Sequence, residues 1–159
     1  MRFWEHEGAG ERLYYELLGA ICRKFEITKT ELDILLFLAH YPAHDTATQI
    51  VQYRHLSKSN VSVSLRELQK RGWVQAEYRD NNRKTLHLSL CPTSKRVVEA
   101  GQEAQREFFS ILFDGFSEKE KADLFRSLEK LADNVHTHLA AVDEEQTEPH
   151  DANHAERKS

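Results

Sequence analysis

Cysteine, glycine and long apolar runs are all scarce in this chain. It has two cysteines in 159 residues, Cys22 and Cys91, far apart and neither in a Cys-x-x-Cys pair, so the sequence carries no disulfide framework. Six glycines form no phosphate-cradling loop, and neither Gly-x-Ser-x-Gly nor His-Glu-x-x-His occurs. The serines of 57–64 have no evident base beside them. An enzyme is therefore not expected, and no catalytic residue or cofactor is assigned. The strongest apolar run, Ile34 to Ala39, is far too short to span a membrane. The opening MRFWEHEGAGER places acids where an export signal needs a basic and then an apolar run. The expectation is a cytoplasmic protein with no membrane partner, large enough for one domain with a real core.

Nine histidines raise the question of a metal. His40 and His44 are split by Pro42, His136 and His138 diverge on a helix, and His150 and His154 lie in a polar end. None joins a cysteine in a ligand set, so no metal site is expected. Cys22 has Arg23 and Lys24 beside it, which favour a thiolate, but it also lies near an apolar stripe. A packed thiol is the expected state.

What the chain does have is periodicity. Leu13, Leu17, Ile21 and Phe25 recur every four residues and predict a first helix over about 10–25. Thr28 and Glu31 have the spacing of a capping box, opening a second helix that Pro42 stops. Asp45 is expected to cap a short third helix over about 46–53, burying Ile50. Ser57 is expected to cap a fourth, about 58–71, that ends at Gly72. Beyond Gly72 the period becomes twofold. Residues 73–79 and 85–90 read as a β-hairpin, with Leu86, Leu88 and Leu90 on one face and Asp-Asn-Asn turn chemistry between the strands. A long helix over about 93–114 follows, then a second capping box at Ser117 and Glu120, then a last helix to about 140. From Asp143 onward the composition is polar and acidic and predicts disorder.

The fold class is therefore mainly α with a small β-hairpin wing: a winged helix-turn-helix plus long flanking helices. The expected division is an N-terminal helix over 1–28, a winged lobe over 29–91, C-terminal helices over 92–141 and an acidic tail over 142–159.

On the fourth helix Val61, Leu65 and Leu68 fall on one side. The other side presents Ser59, Val63, Arg66 and Lys70, flanked by Asn60 and Ser62. Serine and asparagine are mediocre helix formers, so their concentration at the front of a well-patterned helix needs a reason. A helix entering a major groove N-terminus first supplies one, because bulky groups would hold it away from the base edges. Asparagine can read adenine, valine can touch a thymine methyl, and the helix's positive end favours phosphate. Charge agrees with this. Between Arg54 and Arg96 there are ten basic and three acidic residues, a surplus of seven hidden by the overall charge of −4. Arg83 and Lys84 at the hairpin tip suit a narrow minor groove.

The stretch LSKSNVSVSLRELQKRGWVQAEYRDNNRKTLHLSLCP (56–92) resembles the core of the MarR family of bacterial regulators, whose pattern runs roughly LSKSTVS…LE..G.V.R…D.RR..V.LT. The likeness extends over about residues 10–140 in the order of its elements. It implies double-stranded DNA as a partner, with Ser57, Lys58, Ser59, Asn60, Ser62 and Val63 in the reading helix and Arg83 as the wing arginine. Arg66 and Lys70 on that helix, and Arg79, Asn82 and Lys84 on the wing, complete the expected DNA-contacting set. The resemblance further implies a homodimer built from the first and last two helices, a repressor's role, and release by a small aromatic or lipophilic acid. The apolar stripes of the terminal helices and Phe108, Phe109, Phe113 and Phe116 exceed what one small core can hide, which independently suggests a second copy. Two departures from the family pattern stand out. Asn82 replaces the usual acid before the wing arginine, and Thr93-Ser94-Lys95-Arg96 replaces Thr-x-x-Gly. The alternative from another class is a winged-helix protein-interaction module without DNA binding.

Overall fold

The computed structural model describes residues 7–79 and 83–147. Six α-helices and one hairpin follow in the order α1 (Glu7–Phe25), α2 (Lys29–His40), α3 (Ala47–Arg54), α4 (Lys58–Lys70), β1 (Val74–Tyr78), β2 (Leu86–Leu90), α5 (Lys95–Leu112) and α6 (Glu118–Thr147). The chain forms two compact units, one ending at Leu112 and one beginning at Phe113. The first is a winged helix-turn-helix lobe with α1 and α5 packed against it.

In the first unit the core is centred on α2. Its residues Leu32, Ile34 and Leu35 are fully buried, and Leu36, Phe37 and Leu38 nearly so. The helix starts where its capping box directs: Thr28 Oγ1 accepts from Glu31 N at 3.1 Å, and Glu31 Oε2 accepts from Thr28 N at 2.8 Å. Ile50 of α3, Val61 and Leu68 of α4, Val74 of β1 and Val97 of α5 close the same core. α4 ends in a Schellman motif. Gly72 N donates to Gln69 O and Trp73 N to Leu68 O, both at 2.9 Å, with Gly72 at φ +67° where only glycine sits without strain. Arg71 then donates to the carbonyls of Phe25 and Glu26, tying the end of α4 to the α1–α2 junction.

Four expectations change. The buried side of α1 is centred on Leu18 and Cys22, with Tyr14, Leu17, Ile21 and Phe25 only partly covered. Leu17, Ile21 and Phe25 of the expected stripe do pack against the core, but a strict four-residue repeat drifts around a 3.6-residue helix by about 40° per step, so the deepest positions fall one residue beyond it. The third helix is capped by Thr46, not Asp45. Thr46 forms a full box with Gln49 and frees Asp45 for another task. A short 3-10 turn, Pro92–Ser94, precedes α5. And α6 runs to Thr147, past the expected boundary at 141, because Glu144, Glu145 and Gln146 are good helix formers and no breaker precedes Pro149. The remainder of the acidic tail lies outside the described residues.

In the second unit the Ser117–Glu120 box opens α6, with Ser117 N donating to Glu120 Oε2 at 2.8 Å and Glu120 N to Ser117 Oγ at 3.3 Å. Along α6, Leu124, Phe125, Leu128, Leu131, Val135 and Leu139 are all exposed. Among the described residues no helix is long and apolar enough to cross a membrane.

At Gly101 α5 approaches α2 closely. A Cβ there would stand 3.0 Å from a Leu36 methyl and 3.1 Å from one of Leu32, both buried. Gly101→Val should destabilise the first unit by about 1–3 kcal/mol through overpacking, read as a lower melting temperature. An unchanged melting temperature would mean that α5 does not press on α2.

Candidate nucleic-acid interface

The helix-turn-helix is made by α3, a tight turn and α4. The turn is closed by His55 in the left-handed region, φ 51° and ψ 33°, a conformation histidine tolerates better than most residues. Ser57 then caps α4: its Oγ accepts from Asn60 N at 3.2 Å and lies 3.2 Å from Ser59 Oγ. The Ser57 hydroxyl is thus spent on holding the helix's first turn. Val61, Ser64, Leu65 and Leu68 are buried beneath α4. Lys58, Ser59, Asn60, Ser62, Arg66 and Lys70 are exposed on the outer surface, and Val63 is 53% exposed. No acid lies in the first turn. Its free N–H groups and the positive end of the helix dipole therefore meet solvent beside hydroxyls and Lys58, an arrangement that attracts phosphate.

The wing is antiparallel, with Val74 opposite Leu90, Ala76 opposite Leu88, and Tyr78 opposite Leu86. A cleft of about 380 Å³ separates it from the helices, and Lys58, Ser62 and Arg66 of α4 share its lining with Leu86 and Leu88 of β2. Three residues expected from sequence to contact DNA are thereby brought to the border between reading helix and wing. Arg83 is exposed beside Lys84 on the descending leg of the hairpin. Asn82 lies outside the described residues, as does Asp80, so the bracing at the tip does too.

Arg79 sits differently from the rest of the expected set. Its Nη1 donates to Asp45 Oδ2 at 2.6 Å and its Nε to Glu77 Oε1 at 3.2 Å. Asp45 is buried, and its other oxygen lies 2.8 Å from His87 Nδ1, while its backbone carbonyl accepts from Leu88 N at 2.7 Å. Burial pushes the Asp45 carboxyl up, but the His87 bond and the charges of His87 and Arg79 outweigh it and hold the group below its ordinary value. Sequence reasoning missed this cluster because it gave Asp45 to the helix cap. The missed signal was the competing box Thr46-x-x-Gln49 one residue later. Two further bases of the surplus are also engaged by the scaffold: Arg54 pairs with buried Asp33 at 2.9 Å, and Arg71 holds the α1–α2 junction. The basic surplus is partly framework.

Cys22 is buried, and that burial, followed by the charge of Asp33, raises its thiol pKa despite Lys29 and Arg23 nearby. Both effects disfavour the thiolate, in keeping with a packed thiol. Among the described residues no three His, Cys, Asp or Glu side chains converge to hold a metal.

Because folding lowers the Asp45 pKa, its stabilising share is complete above the ordinary carboxylate value of about 4 and is lost as pH falls through the folded-state value. Asp45→Asn should lower the melting temperature at neutral pH, and the gap from the parent should narrow on acidification. A gap constant down to acid pH would contradict the assignment.

Residues 16–83 match the model of the MarR family. No protein of curated function matches the chain. Among solved structures, a MarR-family transcriptional regulator from Listeria monocytogenes complexed with 26mer DNA superposes with a TM-score of 0.73 at 15% identity, covering 91% of this chain and 95% of the other. The S. aureus MepR–DNA complex gives a TM-score of 0.65 at 18% identity, with 85% and 96% covered. BpsR of Bordetella bronchiseptica, whose DNA binding is regulated by 6-hydroxynicotinic acid, gives 0.62 at 13% identity, with 83% and 99% covered. At such identities the structural likeness is one of fold. The chain is MarR-like on both counts: its residues 16–83 carry the family's sequence pattern, and its winged helix-turn-helix with long flanking helices is the family's fold.

Proposed function

We propose that the chain is a transcriptional regulator that binds duplex DNA as a homodimer and represses until a small molecule releases it. The observation that carries this reading is the division of α4: a fully anchored apolar side beneath, and above it a bare surface of small polar and basic side chains bordered by the wing. Ser59, Asn60, Ser62 and Val63 enter the major groove. Lys58, Arg66 and Lys70 meet phosphates, and Arg83 and Lys84 reach the flanking minor groove. The DNA complexes of the Listeria monocytogenes protein and of MepR support the same use of the fold here.

The dimer rests on area that one copy leaves uncovered. The exposed stripe of α6 repeats at helical spacing, and Phe109, Ile111 and Leu112 of α5 are also exposed. A contiguous apolar helix face of this length is covered in water by another chain, and a twofold partner is the simplest cover. Two copies of α4 related by that twofold, about 34 Å apart, read a roughly palindromic site. Release follows when a small aromatic or lipophilic acid binds the DNA-incompetent spacing of the two helices more tightly than the competent one. BpsR, regulated by 6-hydroxynicotinic acid, supports that class of signal. The reading assigns no reaction, and it places the protein in the cytoplasm with the DNA. The rival reading, a protein-interaction module, makes no phosphate contacts.

Selection from a random duplex pool should enrich a pseudo-palindrome, and its affinity should fall with salt at a log–log slope of about −0.9 per phosphate contact. On that site Ser59→Glu should abolish binding by setting an anion against phosphate, and Arg83→Ala should weaken it about tenfold with an unchanged melting temperature. No enrichment, or affinity indifferent to salt, would favour the rival. Leu128→Glu with Leu131→Glu should convert the dimer to monomer in sedimentation; a variant that stays dimeric would move the interface off α6.

A further inference from the structure

The upper half of the wing has little apolar support. Val74 and Leu88 are buried at its base and middle, but Tyr78 is 58% exposed and Leu86 38%. A two-stranded hairpin with strands this short is not stable on its own. Something else must hold the part of it that carries Arg83 and Lys84.

We propose that Asp45 is the positioning residue of the wing, and that Arg79 is its brace and not a groove contact; this rests on the reading of α4 and the wing as one duplex-binding surface. Asp45 grips both legs of the hairpin just below the tip. One carboxylate oxygen takes Arg79, next after β1, and the other takes His87, second in β2. Its carbonyl adds a third bond, from Leu88 N. Asp45 adjoins Thr46, the cap of α3, and α3 packs on α4 through the shared core. A continuous path therefore runs from the reading helix through α3 and Asp45 to both legs of the wing. The Asp45 side chain is buried while its partners reach solvent, so the cost of breaking the clamp falls on the carboxylate left without a partner.

Charge argues the same way for Arg79. It lies between Asp45 and Glu77, and Glu77 is also the register partner of His87. Arg79, Asp45 and Glu77 sum to one negative charge, and counting His87 as a cation brings them only to zero. That cluster offers a phosphate no net attraction. The outward cations of the wing are those beyond it.

The test uses Asp45→Asn, Arg79→Gln and the double variant on the duplex selected from the random pool. Each single change should weaken binding about tenfold with the salt slope unchanged, and the double should bind as either single does, because both break one clamp. In the free protein, amide exchange in each variant should quicken along β2 by much more than along α2, whose protection falls only with the global stability. A purely global loss of stability would quicken the two alike. Should Asp45→Asn not fold, His87→Gln, at a surface-accessible position, should show the same β2 exchange with a smaller loss of affinity. Unchanged affinity or unchanged β2 exchange overturns the proposal. So does an Arg79→Gln slope lower by about 0.9, which marks a phosphate contact. Absence of any salt-sensitive duplex binding by the parent chain instead defeats the DNA reading, while the exchange experiment still decides whether the clamp exists.

Discussion

A helix that is to enter a groove must be held from one side only. In this chain α4 meets that constraint with four buried residues beneath it, a serine cap at its start and a glycine-closed Schellman motif at its end. Three other features of the lobe serve the same division. The core of α2 gives α4 a floor, the left-handed turn at His55 sets its approach, and the small side chains of its first two turns leave the surface low enough for another molecule to come close. Poor helix formers are tolerated there because packing and caps, not intrinsic propensity, stabilise the helix.

The basic residues divide into two working groups. Arg54, Arg71 and Arg79 hold the scaffold, pairing respectively with Asp33, with the carbonyls that end α1, and with Asp45. Lys58, Arg66, Lys70 and Arg83 stand on the surface. A count of charges along the chain cannot separate the groups, because two of the acids that engage the first, Asp33 and Asp45, precede Arg54 and only Glu77 lies within the basic stretch. Electrostatic attraction and structural bracing are therefore drawn from one local excess of arginine and lysine.

Much of this was legible in the sequence. The boxes at Thr28 and Ser117, the Ser57 cap, the stripe Val61-Leu65-Leu68 and the change to twofold period after Gly72 are local patterns, and local patterns survive folding. What was not legible depended on competition or distance. Thr46 and Asp45 both suit a helix cap, and only the fold shows that Asp45 is needed by a strand 42 residues away. The stripe Leu17-Ile21-Phe25 marks the core side of α1 but not its centre, Leu18 and Cys22, because a four-residue repeat rotates around a helix. The α6 end was misjudged because polar composition was read as disorder where helix formers continued. His87 and Ser89, which alternate with the leucines of β2, are half-buried as well, and His87 is engaged by Asp45.

The central claim is that α4 and the wing lie on one duplex, twice, about one helical turn apart. Interference footprinting on the selected site tests it most directly. Methylation at guanine N7 in the major groove should block binding in two clusters about 10 base pairs apart, with backbone protection extending into the minor groove outside each. A single cluster, or interference from the minor groove alone, would contradict it.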